Sequence, residues 1–266
     1  MPDVLALRLG APLQSWGGHS RHTTRGTLTH PTKSGVVGLC ASALGRPRGS
    51  DLGDLSSLGF GVRIDRPGTL LIDFHTVSAA SHAPLDPREQ RLPTSGGGRL
   101  KAGEGKVSRR SYLQDAVFVA VLEADQVAQS NLLEQVEAAL ERPRYPLFLG
   151  RRSCPPDRKV LLGLYRDTTI IETLAVLPWQ GRSKRHAPRV LPVVVDDPSG
   201  GELLPDLPVS SPAFQRSFAD RPVRHTDVPT PGLAPPSGPV ADTAPLGSGS
   251  LFSGDSSMAL LEEGDL

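Results

Sequence analysis

The sequence predicts an α+β protein of ferredoxin-like (RRM-like) plan, and three observations carry that reading. Apolar runs of strand length fall at residues 3–9, 58–65, 70–77, 116–123 and 159–165. Two stretches of helical spacing, 33–44 and 126–141, separate them, so the order is strand, helix, two strands, strand, helix, strand. Long basic segments without periodicity interrupt that order, which puts binding residues on loops held by a sheet. RNA-recognition modules use the same layout.

Residues 3–9 alternate, with Leu5, Leu7 and Leu9 on one face and Val4, Ala6 and Arg8 on the other, the pattern of a half-buried strand. Thr32 can cap the first helix, with Pro31 just outside it. Val36, Val37, Leu39, Cys40, Ala43 and Leu44 recur at helical spacing, and Gly45 supplies a left-handed stop. Between strand and helix runs a loop that holds Gln14, Ser15, Trp16, Arg21 and Arg25, long enough to read as a binding loop.

Residues 58–65 and 70–77 read as a hairpin turning at Arg66, Pro67 and Gly68. Periodicity then disappears over 78–110, where Arg88, Arg91, Arg99, Lys101, Lys106, Arg109 and Arg110 outnumber the acids; this reads as a protruding basic loop. Residues 116–123 are apolar on both faces and belong at the centre of a sheet. Asp125 can cap a helix over 126–141 whose stripe is Leu132, Leu133, Val136, Ala139 and Leu140, and Pro143 ends it. A basic glycine loop with Gly150, Arg151 and Arg152 leads to the strand at 159–165. Beyond it, 170–177 and 190–195 read as further strands, and 214–224 as a segment that closes the domain.

The chain thus divides into a domain over 1–226 and a tail over 227–266 rich in Pro, Gly and Ser, whose composition predicts disorder. The formal charge of +1 conceals an asymmetry. The tail has six acids and no Lys or Arg, which leaves the body 29 bases against 22 acids, or +7. A basic body points to a polyanionic partner. No run approaches the length of a membrane span, and two cysteines form no disulfide framework, so a cytoplasmic protein without membrane contact is expected.

Few residues suggest chemistry. Thr32, Lys33 and Ser34 resemble the end of a phosphate loop, but Thr32 and Thr27 stand where its glycines belong, which excludes nucleotide hydrolysis by that motif. What survives is a helix start whose N–H groups, with Lys33 and two hydroxyls, suit one backbone phosphate. His19 and His22 have no third ligand at a familiar spacing, so neither metal nor cofactor is expected. His75 reads equally as an RNA contact or a hydrogen-bonded structural histidine. Trp16 reads on its own as a core aromatic, and Gln14 as a solvated loop residue.

Gly10, Pro12, Leu13, Gln14, Ser15, Trp16 and Gly17, then Pro31, Thr32, Lys33, Ser34, Gly35, Gly38 and Leu39, resemble the opening signature of CasD, the fifth-subunit family of CRISPR effector complexes in its type I-E form. Phe74, His75, Thr76 and Val77 agree, as do Pro143, Arg144 and Tyr145 and the run from Leu149 to Pro155. The resemblance implies a RAMP palm whose thumb, at about 78–110, clamps RNA. It implies an antiviral Cascade subunit holding the 5′ handle of the mature CRISPR RNA, next to the CasC backbone and large CasA subunits, with target DNA met only in the assembled complex. The expected RNA contacts are Gln14, Ser15, Trp16, Arg21, Arg25, Thr32, Lys33, Ser34, His75, Arg109, Arg110, Arg151 and Arg152, with Trp16 stacking on a base. Type I-C relatives process precursor RNA with a tyrosine near the first helix. This chain has no tyrosine before Tyr112, so a non-catalytic role is expected, with a metal-independent repeat endoribonuclease as the alternative.

Overall fold

A computed structural model describes residues 1–17, 20–21, 23–78, 105–182, 187–209 and 217–233. Two strands form its centre: β1 (Asp3–Gly10) and β8 (Val117–Ala124) pair antiparallel from Asp3 opposite Ala124 to Gly10 opposite Val117. β5 (Gly59–Arg66) lies on the far side of β8, and β9 (Leu161–Tyr165) on the far side of β1. β10 (Val190–Asp196) extends the sheet from β5, followed by β12 (Ser217–Pro229) and β11 (Glu202–Val209). The protein is therefore a mixed α/β structure on a seven-stranded sheet.

Helices cover both faces of that sheet. α1 (Lys33–Leu44) and α3 (Val127–Glu141) pack over Leu5, Leu7, Leu9, Phe118 and Leu122, while α4 (Ile170–Val176) packs over Val4, Ala6, Val119 and Val121. β1 is thus buried on both faces, not half-buried as its alternation suggests. The second cover comes from α4, which lies where the sequence reads as a strand. Its β-branched isoleucines favour that reading, but Thr169 and Glu172 form a capping box. Thr169 Oγ1 accepts from the Glu172 N–H at 3.4 Å, and Glu172 Oε2 accepts from the Thr169 N–H at 2.9 Å. At the other end of α4, the fully buried Arg63 guanidinium donates to the carbonyls of Leu174, Leu177 and Pro178 and pairs with Asp65 at 2.7 Å. It therefore satisfies carbonyls that a helix end leaves open.

α1 begins and ends as its sequence predicts. Thr32 accepts from the Gly35 N–H at 3.1 Å, and Gly45 adopts φ 76°. Cys40 lies fully buried inside the helix packing, and that burial pushes its thiol pKa up to about 12. α3 also occupies its expected span, but its cap is Gln126 without a side-chain bond. Asp125 instead donates its own N–H to Gln129 Oε1 at 3.0 Å.

The expected hairpin over 58–77 is not formed. Both edges of β5 are taken, by β8 and β10, so the chain turns at Gly68 (φ 74°) and leaves the sheet. β6 (Thr69–Ser78) instead pairs with β7 (Gly105–Gln114) in a second sheet that also holds β2 (Leu13–Gln14), β3 (Ser20–Arg21) and β4 (Thr24–Arg25). Lys106, Arg109 and Arg110 accordingly stand in a strand, not in an irregular loop. The rest of the expected thumb, 79–104, lies outside the described residues, as do His19, His22, 183–186, 210–216 and the tail from 234 onward. β12 carries ordered chain to Pro229, past the expected boundary at 226, and buries Val228.

Candidate nucleic-acid interface

The residues expected to bind RNA fall into two groups, one internal and one on the surface. Gln14 is fully buried: its Nε2 donates to Leu9 O at 3.2 Å and Ala116 O at 2.7 Å, and its Oε1 accepts from Trp16 Nε1 at 2.9 Å. It joins β1, β2 and the turn before β8. Trp16 is 1 % exposed and lies so close to Gly35 that a Cβ there would sit 2.9 Å from its ring. No face of the indole is open to a base, so burial corrects stacking by Trp16 and both the RNA contact and the solvated place expected of Gln14. Ser15 is buried as well, with its Oγ 3.4 Å from Ser111 O.

The helix start at Lys33 is likewise internal. Its N–H donates to Asp206 Oδ2 at 2.8 Å, and its ammonium meets Asp196 Oδ2 at 3.0 Å. Arg221 completes the cluster through Asp206, at 2.7 and 2.8 Å, and through Asp196. The N-terminus of α1 does hold an anion, as helix polarity favours, but the anion is a carboxylate of β11. Lys33 is only 5 % exposed and Thr32 is buried as the cap, while Ser34 turns its Oγ back to Thr32 Oγ1 at 3.3 Å. Thr32 and Lys33 are therefore not free to meet a phosphate, whereas Ser34 is half-buried. His30, close by, is buried, and its Nε2 has no hydrogen-bond partner among the described residues; desolvation lowers its pKa to about 4.

The surface group is built on the second sheet. β4 runs parallel to β7 with Arg25 beside Arg110 and Thr24 beside Arg109, and β6 places Asp73 opposite Arg110. Laterally paired residues share a face, so Arg25, Arg110 and Tyr112 lie on one side and Arg109 and Phe74 on the other. Arg151 joins the first side. Its guanidinium stacks 4.5 Å above the Tyr112 ring and donates through Nη2 to Arg25 O at 3.0 Å; its Nη1 has no hydrogen-bond partner among the described residues.

The loop that carries Arg151 is shaped by Gly150. It adopts φ 86°, and a Cβ at this position would fall 1.6 Å from Ser15 O. Arg152 is exposed beside it. His75 is half-exposed on β6, 3.9 Å from Asp73. Three arginines and a tyrosine thus share a face, with Arg152 next to them and Asp73 as the acid on β6. No Arg25, Arg110 or Arg151 ion pair occurs among the described residues. Arg21 lies on β3, but its side chain is outside the description. Tyr112 was not among the residues expected from sequence, although its place two residues after Arg110 in one strand was a signal for it.

Such a face, a fork of cations on an aromatic platform carried by a sheet, is the kind that nucleic-acid-binding proteins present. Residues 4–224 match the family described as CRISPR-associated protein (Cas_Cas5), and the chain belongs to that family. It is 37 % identical over 170 residues to the CRISPR system Cascade subunit CasD of Escherichia coli (strain K12), covering 61 % of this chain and 71 % of that one. Among solved structures, a chain of a "CRISPR RNA-guided surveillance complex" superposes with a TM-score of 0.68 at 32 % identity, over 86 % of this chain and 91 % of that one. A second, described as "Crystal structure of Cas protein", gives 0.62 at 33 % identity over 85 % and 95 %.

Among the described residues no helix is long and apolar enough to cross a membrane, and no cluster of His, Cys, Asp and Glu is arranged to hold a metal ion.

Proposed function

We propose that this protein is a non-catalytic RNA-binding subunit of a type I-E Cascade surveillance complex in the cytoplasm, holding the 5′ handle of the mature CRISPR RNA beside the CasC backbone and large CasA subunits. The observation that carries the RNA reading is the side-chain face of Arg25, Arg110 and Arg151 over Tyr112, together with the similarity to a Cascade subunit. The palm is read as ferredoxin-like. In support, β1, α1, β5, β8, α3 and β9 follow one another in the chain, the sheet runs β9, β1, β8, β5, and both helices pack on one face. The paired arms β6 and β7 are read as the base of the thumb.

Phosphates of the handle meet Arg25, Arg110, Arg151 and Arg152, and Tyr112 keeps the Arg151 fork oriented. Target sequence is read by base pairing of the RNA and not by this chain. The test is a gel-shift series in EDTA with repeat-containing precursor RNA and with mature handle RNA at several salt concentrations. Retardation without cleavage is expected. Substituting Gln for one phosphate-contacting arginine should reduce the slope of log affinity against log salt by about 0.7. Discrete cleavage within the repeat would establish the endoribonuclease reading instead, and an unchanged slope in all four variants would remove this face from the RNA path.

A further inference from the structure

We infer that the cleft between the C-terminal end of β1 and the segment 180–182 is a phosphate-binding site, separate from the arginine face over Tyr112. The cleft has a volume of about 200 Å³, of the scale of a phosphate with part of a sugar. Four arginines from four parts of the chain line it: Arg8 of β1, Arg66 at the end of β5, Arg158 before β9, and Arg182. Two carboxylates, Asp115 and Asp157, share that lining. The lining therefore carries two positive charges more than it neutralises internally.

The arrangement within the cleft divides those arginines by role. Arg8 is 5 % exposed and grips Asp157 through both Nη atoms, at 2.5 and 3.2 Å; the Arg8 bonds hold that carboxyl below its usual pKa. Space for this guanidinium depends on Gly10, since a Cβ there would lie 2.6 Å from both Nη atoms. Arg8 Nε is buried with no hydrogen-bond partner among the described residues. That atom has no surface in the cleft, and the Arg8 charge is met by Asp157, so Arg8 shapes the wall of the cleft and the ligand is left to the other arginines. Arg182 is exposed and holds Asp115 at 2.8 Å.

Arg66 and Arg158 make no ion pair among the described residues, so they are the two cations whose charge is left for a ligand. Planar guanidinium forks match phosphate oxygens in pairs. A carboxylate ligand would satisfy one fork, whereas a phosphate offers oxygens to both, and the excess of two positive charges suits a phosphate group. The group can be a terminal monoester or an internal diester of a nucleic acid. Pro12 and Asp115, which border the cleft, lie three residues along the chain from Ser15 and Tyr112.

The test uses the purified full chain titrated with inorganic phosphate, and with short oligoribonucleotides that carry either a 5′-phosphate or a 5′-hydroxyl, followed by calorimetry. Arg66→Gln and Arg158→Gln alter half-buried and exposed side chains and leave the buried Arg8 pair in place. The double variant is expected to bind phosphate at least tenfold more weakly, with an unchanged denaturation midpoint. If the terminal group is the ligand, the 5′-phosphorylated oligomer loses affinity in the double variant and the 5′-hydroxyl oligomer does not. If an internal diester is bound, both lose it equally. Failure of inorganic phosphate to bind the unaltered chain, or equal binding by the double variant, would overturn the inference. Unchanged RNA binding on substitution of Arg151, with phosphate binding intact, would instead count against the arginine face alone, so the two readings fail separately.

Discussion

The N–H of Lys33 donates to Asp206 Oδ2 at 2.8 Å, so the anion at the start of α1 is supplied by the chain itself. Asp206 also takes two bonds from Arg221, and Asp196 bridges Arg221 to the Lys33 ammonium. The cluster ties the first helix to β10, β11 and β12, elements more than 150 residues away in the chain. Because these charges are buried, their main contribution is to hold α1 against the C-terminal strands.

Asp206→Asn should therefore act on stability. Removing one partner of a buried ion pair leaves Arg221 short of a counter-charge and costs about 3–5 kcal/mol. Urea denaturation should show that loss. Lys33→Met should also lower the midpoint yet leave the salt slope of RNA binding at the value for the unaltered chain.

Trp16→Ala should empty a core site and cost about 3–5 kcal/mol, in addition to freeing the oxygen of Gln14. Trp16→Phe keeps most of the volume. Its RNA affinity, measured on the folded fraction by filter binding, should equal that of the parent protein, since no base reaches this ring.

Gly150→Ala should damage both fold and binding. The new methyl would overlap Ser15 O in a backbone conformation that disfavours side chains. The Gly150 loop must move, and Arg151 with it, so the stack on Tyr112 is lost. A drop in denaturation midpoint together with weaker RNA binding is expected, whereas Arg152→Gln should weaken binding alone.

Stability should fall on mild acidification through His30. Its pKa is about 4 in the folded protein against 6.5 for the free side chain, because burial disfavours the charged ring. Between those values the unfolded chain binds the extra proton, so stability rises with pH in that window. The contribution is fully present above pH 6.5, declines by about 1.4 kcal/mol by pH 5.5, and is lost completely below pH 4. Denaturation midpoints at pH 7.5 and 5.5 for the parent and for His30→Asn should separate this term from the carboxylates, with the variant showing the smaller change.

Much of the fold was legible where local signals agreed with the tertiary result. Thr32 and Gly45 bracket a helix of the expected span, and the doubly apolar run ending in Leu122 lies at the sheet centre. The reading failed where a local signal was ambiguous. Ile170 and Ile171 suggest a strand, and only Thr169 with Glu172 shows otherwise. β11 was missed because Pro205 and Pro208 interrupt it, which an edge strand tolerates.

The binding residues divide along a different line. Arg110, Arg151 and Arg25 keep the roles expected of them in the proposal because each side chain is exposed at least in part. Gln14, Trp16 and Lys33 belong to the family signature, as Arg151 does, but are internal. A signature therefore marked both the residues that build the loop and those the loop presents, and burial is not written in a motif. Nothing in the sequence pairs Lys33 with Asp206 across 173 positions.

Both cysteines are interior, Cys40 inside the α1 packing and Cys154 behind the Gly150 loop, and burial raises both thiols. Since only the thiolate reacts and neither sulfur meets solvent, the folded chain should be silent towards alkylating reagents. Each sulfur then becomes a clock for a different event. Labelling of Cys40 requires the first helix to leave the sheet, whereas labelling of Cys154 reports release of the loop that carries Arg151. Without any introduced probe, the rates of the two modifications resolve whether the arginine face loosens on its own or only when the whole domain opens.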